Sequence, residues 1–234
     1  MATGYDRDGN NYQDFSQVVD MSSTESCSNL DSYPLKLSFA TGGLVNGDPL
    51  ICGGKIGSSS STRQSSCYKY ERSSNEWTLI ANMNNKRVFH SSALTTKGIF
   101  ITGGNNENND RLDSTEYVST DGVVTDGPKL PAARSSHCMV TLHDGKVMVI
   151  GGYPSSNLKS MIIFDPEDNS FNDGSSLKYD RLSAGCTIFR SPMHNNRNVV
   201  LAAGGWRQST AEILDYTNPN ANAWEESKYI YQLI

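Results

Sequence analysis

The sequence predicts an all-β fold of the propeller type, built from four-stranded antiparallel blades, and three observations carry that reading. Four Gly-Gly doublets, Gly53-Gly54, Gly103-Gly104, Gly151-Gly152 and Gly204-Gly205, recur at steps of 50, 48 and 53 residues. Each doublet closes a short apolar run, such as Ile51-Cys52 or Val149-Ile150. Around each doublet, four strand-like segments can be laid in the same order. A period of this length marks a repeat architecture whose units bury their faces against their neighbours. Four short antiparallel strands per unit describe a propeller blade.

Taken in chain order, residues 1–36 hold a partial unit. Ala2-Thr3-Gly4-Tyr5 reads as a degenerate doublet, and Gln17–Asp20 fills the place of a third strand, so the chain is expected to begin inside a blade. Residues 37–84 form the first full blade. There Phe39–Val45, an Asn46-Gly47 turn and Leu50–Cys52 make a hairpin, Cys67–Tyr70 follows, and Trp77 opens the fourth strand. Residues 85–131 repeat this with Phe89–Leu94, Ile99–Thr102 and Ser114–Val118, but Gly122–Gly127 stands where the aromatic belongs. Residues 132–179 give Arg134–Leu142, a turn at His143–Lys146, Val147–Ile150, Met161–Phe164 and then Phe171. Residues 180–234 give Cys186–Phe189, a longer loop through Pro192 and Asn196, Val199–Ala203, Ala211–Tyr216 and Trp224. Asn-Gly or Asp-Gly between two apolar runs is a strong short-range hairpin signal.

Composition fits a turn-rich β protein: 36% hydrophobic and 19% charged residues, with 20 glycines. The net charge of −5 argues against nucleic acid as a partner, which demands a basic face. No apolar run has the length of a membrane span. The first thirty residues carry Asp6, Asp8, Asp14, Asp20 and Glu25 without an apolar core segment, so no signal peptide is read there.

Doublets that follow the second strand, tyrosines in the third (Tyr68, Tyr70, Tyr117, Tyr216) and tryptophans in the fourth (Trp77, Trp224) together resemble the kelch repeat. The resemblance runs from about residue 2 to 226. It implies a kelch-type β-propeller; kelch rings usually close with six or seven blades, whereas four full blades plus a partial one are counted here. An incomplete ring is therefore expected. Glycine permits sharp turns and close backbone approach, and the aromatics supply area to seal one blade on the next. Both are read as scaffold, not as site residues.

Cys52 ends the second strand of the first full blade and Cys67 begins its third, so the two face each other across one hairpin and suit a disulfide. Cys138 and Cys186 hold equivalent places in successive blades; they make a second inter-blade disulfide or stay as buried thiols. Cys27 is left over. This usage points to an extracellular or secreted setting, with the cytoplasm as the alternative. No metal site is expected, because no close cysteine pair has ligand spacing.

The kelch resemblance implies a non-enzymatic scaffold that binds a protein or peptide through loops on one face, without a cofactor. Arg87, Arg134 and Arg181 recur at the start of the first strand in successive blades, 47 residues apart. They either grip an acidic peptide by bidentate contacts or hydrogen-bond the backbone of their own blades. Tyr153 and Trp206, just past their doublets, are the candidate aromatic anchors, within loops Lys55–Ser66, Asn105–Asp113, Tyr153–Lys159 and Trp206–Ser209. Asn105–Asp110 reads as a solvated loop. Two alternatives remain. One is the propeller of a galactose-oxidase-like copper radical enzyme, whose chemistry needs a tyrosine directly followed by histidine; none of His90, His137, His143 and His194 follows a tyrosine. The other is a secreted glycan-binding propeller.

Overall fold

The structure is a computed structural model that describes residues 17–18, 28–29, 31–57, 59–154, 158–218 and 223–227. The sequence expectations for Gly4 and Cys27 lie outside these residues. At the start, β1 (Gln17–Val18) pairs antiparallel with β2 (Ser28–Asn29). Next come β3 (Leu37–Ser38), β4 (Thr41–Val45), β5 (Asp48–Cys52), β6 (Lys55–Ile56), β7 (Ser66–Glu71) and β8 (Glu76–Asn82). Strands β4, β5, β7 and β8 form the first four-stranded sheet, in that order, while β3 and β6 form a separate two-stranded ribbon.

Three more four-stranded antiparallel sheets follow, each wound in chain order. The second contains β9 (Ser91–Thr95), β10 (Gly98–Thr102), β11 (Thr115–Val118) and β12 (Val124–Asp126). The third contains β13 (Cys138–Thr141), β14 (Val147–Ile150), β15 (Met161–Asp165) and β16 (Ser170–Asp173). The fourth contains β17 (Gly185–Ser191), β18 (Arg197–Ala203), β19 (Ala211–Leu214) and β20 (Glu225–Glu226). Their first strands, β4, β9, β13 and β17, lie side by side in sequence order, as the inner strands of a propeller do. The ring is not closed.

Alternation along the strands sends every second side chain to one neighbour and the rest to the other. Three apolar layers result. Leu50, Cys52 and Cys67 of the first blade meet Ile99, Ile101 and Val118 of the second. Phe100 and Tyr117 meet Met139, Val149 and Phe164, and the Phe100 and Phe164 rings stack at 4.4 Å. Met148, Ile150 and Met161 meet Val200, Ala202, Leu214 and Trp224. On the far side of the first blade, Tyr33 packs edge-on against Tyr68 and Trp77.

The tryptophans also clamp the links between units. Trp224 donates its indole N–H to the Ser175 carbonyl and Trp77 to that of Asp31, each at 3.1 Å. Cys52 and Cys67 are directly paired across β5 and β7, and their sulfurs are bonded at a Cα–Cα distance of 4.1 Å. Cys138 on β13 and Cys186 on β17 form a second bonded pair, 6.0 Å between Cα atoms, that joins the last two blades.

Candidate functional site: the loop end of the blades

The doublets are inter-blade joints. In the first three, the second glycine donates its N–H to the carbonyl of the arginine that opens the next blade: Gly54 to Arg87, Gly104 to Arg134 and Gly152 to Arg181, all at 2.9 Å. The first glycine lies so close to that carbonyl that no side chain fits. A Cβ on Gly103, whose φ is +61°, would sit 2.3 Å from the Arg134 oxygen.

The same arginines turn their side chains inward. Arg87, Arg134 and Arg181 are 0%, 2% and 1% exposed. Each guanidinium donates to the first glycine carbonyl of its own blade, Arg87 to Gly103 at 2.7 Å, Arg134 to Gly151 at 3.2 Å and Arg181 to Gly204 at 2.8 Å. Arg87 also pairs with buried Glu116, and Arg181 with buried Glu212. Those carboxylates accept in addition from the linker backbone, Glu116 from Asn84 and Asn85, Glu212 from Lys178 and Tyr179. Of the five residues expected at the partner face, these three are therefore withdrawn into the scaffold. Guanidinium groups saturate the carbonyls that the doublets leave open, and burial leaves them no surface to offer.

Arg134 lacks such an acid, because Ile162 stands at the place of Glu116 and Glu212. Desolvation pushes its guanidinium down to about 10, offset only partly by the more distant Asp173. Beside these arginines lie two buried histidines. The His90 ring donates to the Cys52 carbonyl at 3.1 Å, and the His137 ring meets the Thr102 hydroxyl at 2.7 Å. Burial, reinforced by Arg87, holds His90 down to about 3, and burial with Arg134 holds His137 well below the ordinary imidazole value. Both rings are neutral struts between blades.

Aromatic rings are among the groups exposed at this end. Two residues beyond each buried arginine, the backbone enters the left-handed region: Phe89 at φ +55°, Ser136 at +56° and Ser183 at +57°, with Phe39 at +58° in the first blade. Bulky residues avoid this region, and each instance costs on the order of 1 kcal/mol or more. The twist has a use, since it points the Ser136 N–H at the Phe89 carbonyl (2.7 Å) and the Ser183 N–H at the Ser136 carbonyl (2.8 Å), stitching blade to blade. It also turns the Phe39 and Phe89 rings together, with centroids 4.3 Å apart, and leaves Phe39 44% exposed.

Residues just past the doublets join this surface. Lys55 pairs with Ser38, Asn105 with Val88 and Tyr153 with Ser135, while Trp206 donates to the Leu182 carbonyl. Each of these partners directly precedes one of the left-handed residues, so loops and aromatics share one end of the blades. Tyr153 is 44% and Trp206 67% exposed. Cations lie over three of the rings, Lys55 over Phe39 at 5.4 Å, Arg111 over Tyr153 at 4.7 Å and Arg207 over Trp206 at 5.7 Å. A cleft of about 270 Å³ beside Trp206 is lined by Leu158, Asp180, Leu182, Arg207 and Gln208. Sequence reasoning missed Phe39, Phe89, Arg111 and Arg207. No glycine or asparagine flags the left-handed positions, and loops of unequal length hide the register of the arginines.

Among the described residues, no three His, Cys, Asp or Glu side chains converge as a metal site would require. No helix among the described residues is long and apolar enough to cross a membrane.

Residues 134–178 match the family model of the kelch motif. Over 147 residues the chain is 27% identical to the Kelch repeat and BTB domain-containing protein 1 of vaccinia virus (strain Copenhagen), an alignment covering 61% of this chain and 26% of that protein. Over 153 residues it is 28% identical to beta-scruin of Limulus polyphemus, covering 61% of this chain and 16% of that protein. The horsepox virus Kelch repeat and BTB domain-containing protein 1 is 29% identical over 121 residues, with 52% of this chain and 21% of its own length covered. The chain thus spans about a quarter or less of the relatives it matches. Doublet-jointed, four-stranded blades in register, a kelch motif matched over residues 134–178 and relatives that carry the repeat together support a kelch-repeat protein.

Proposed function

We propose that this chain is a non-enzymatic scaffold that docks a protein partner on the loop end of its blades. The observation that carries the reading is the set of exposed aromatics gathered there, Phe39, Tyr153 and Trp206, with Tyr153 and Trp206 held by backbone hydrogen bonds to Ser135 and Leu182 of their own blades. Exposed rings on a rigid base bury large area at low entropic cost, which is why aromatic residues dominate interface hot spots. The kelch-repeat relatives support a protein-interaction module. The two bonded cysteine pairs support an oxidising, extracellular compartment, and alkylation of free thiols in native extracts before denaturation checks this.

The test is cross-linking and affinity capture with the full chain, comparing wild type with a Phe39→Ala/Tyr153→Ala/Trp206→Ala variant. The reading expects a protein recovered with wild type and lost with the variant, at equal thermal stability. Equal recovery with both overturns the loop-end assignment. Binding confined to sugars on a glycan array, or stoichiometric copper with a tyrosyl radical signal, replaces it with one of the other classes.

A further inference from the structure

A second arginine series occupies the loop end, distinct from the buried one. The register is set by hydrogen bonds: Gln64, Leu112 and Gln208 each return their N–H to the second glycine of their doublet, Gly54, Gly104 and Gly205. The residue before each of these is Arg63, Arg111 and Arg207. Arg63 is buried and donates to Asn109 at 2.9 Å. Arg111 and Arg207 are exposed, each above an aromatic ring, and neither is paired with a carboxylate among the described residues.

What sets these two apart is the ring beneath each rather than the lack of an ion pair, which exposed Lys36, Lys159 and Lys178 share among the described residues. Lys86 pairs with Glu107, Lys129 with Asp113, Lys146 with Asp165 and Arg72 with Asp48. In a chain of net charge −5, two exposed arginines with no ion pair among the described residues are local positive sites. An arginine seated on an aromatic ring is held in place while its N–H donors stay open to a planar carboxylate. Beside Arg207 lies the cleft of about 270 Å³, whose walls include the apolar Leu158, Leu182 and Trp206. That volume admits one large apolar side chain. Asp180 on the same wall repels a carboxylate from the cleft itself, so the acid must sit outside, toward the guanidinium groups.

We infer that the docked partner presents an acidic linear segment, with Asp or Glu side chains on Arg111 and Arg207 and one neighbouring large apolar side chain in the Trp206 cleft. The inference rests on the protein-binding reading above and specifies its chemistry.

The test pans the full chain against a displayed library of random twelve-residue peptides, then measures a synthesised winner by fluorescence anisotropy. Winners should pair Asp or Glu with Leu, Phe or Trp. Arg111→Gln and Arg207→Gln should each weaken binding by about tenfold, the loss expected for a charge-assisted hydrogen-bond pair. Binding should also weaken as salt rises, since exposed charges are screened. Both variants sit on the surface, and unchanged thermal unfolding confirms their folding. Winners without acidic residues, or affinities indifferent to both variants, overturn this inference and leave protein binding standing. No enriched peptide together with glycan capture on an array overturns both.

Discussion

Replacing Glu116 by Ile gives the second blade the residue that the third blade carries naturally at Ile162, and this should cost about 4 kcal/mol. Two losses make up the figure. Arg87 and Glu116 are both fully buried, and removing one partner of such a pair costs roughly 3–5 kcal/mol because the other charge is stranded. Arg87 keeps its bonds to the carbonyls of Gly103 and Ser114, which places this part at the low end of the range. The carboxylate also accepts from the N–H groups of Asn84 and Asn85, at 2.6 and 3.2 Å, and an orphaned buried donor costs about 1–3 kcal/mol. The third blade shows how the loss is tolerated. Its linker has Pro131 at the place of Asn84, so one of the two N–H groups is missing along with its acceptor. The double variant Asn84→Pro/Glu116→Ile should therefore recover about 1 kcal/mol over the single one, the worth of one unsatisfied donor. Urea unfolding followed by circular dichroism measures both. A single-variant loss below about 1.5 kcal/mol, or a double variant less stable than the single, would refute the reasoning.

Acid should weaken the fold before the carboxylates titrate. His90 and His137 are held neutral, with folded values (about 3 for His90) below the unfolded imidazole value, so protons favour the unfolded chain. Their stabilisation is complete above about pH 6.5 and falls by up to about 1.4 kcal/mol per pH unit for each ring on the way down. Urea midpoints at pH 7 and pH 5 should differ, and His90→Gln should flatten that slope; identical slopes would disprove it. Gly103→Ala should destabilise by about 3–5 kcal/mol, because its Cβ meets the Arg134 carbonyl at 2.3 Å, and a melting curve within error of wild type would contradict the joint. Breaking the Cys52–Cys67 link by Cys52→Ser/Cys67→Ser should cost about 3 kcal/mol for a loop closed over 15 residues. Non-reducing peptide mapping should recover that pair and the Cys138–Cys186 pair, and free thiols at any of the four would show the pairing to be wrong.

How far the chain could be read without coordinates varies from element to element. Doublets, Asn-Gly and Asp-Gly turns and the alternation of apolar residues act over a few residues, so blade, strand order and hairpins were legible from Ile51-Cys52-Gly53-Gly54 onward. That Cys52 and Cys67 lie opposite each other was legible too, since one ends and the other begins neighbouring strands of one blade. The arginines mark the limit. Their spacing announced a repeated role, but whether Arg87, Arg134 and Arg181 faced a partner or their own backbone depended on where carbonyls from strands 16 to 29 residues away would arrive.

The loop end lay still further out of reach. Phe39, Phe89, Ser136 and Ser183 share a left-handed backbone that none of their side chains prefers, and hydrogen bonds from one blade to the next tie Ser136 to Phe89 and Ser183 to Ser136. Arg63, Arg111 and Arg207 fall into register only when each loop is measured from its bond back to the doublet. By itself, then, the sequence determined the repeating scaffold, because glycine, turn and strand preferences are local. Only the tertiary structure decided which repeated residues reach the surface. That choice depends on distant backbone groups competing for the same donors, and such competition leaves no trace in local pattern.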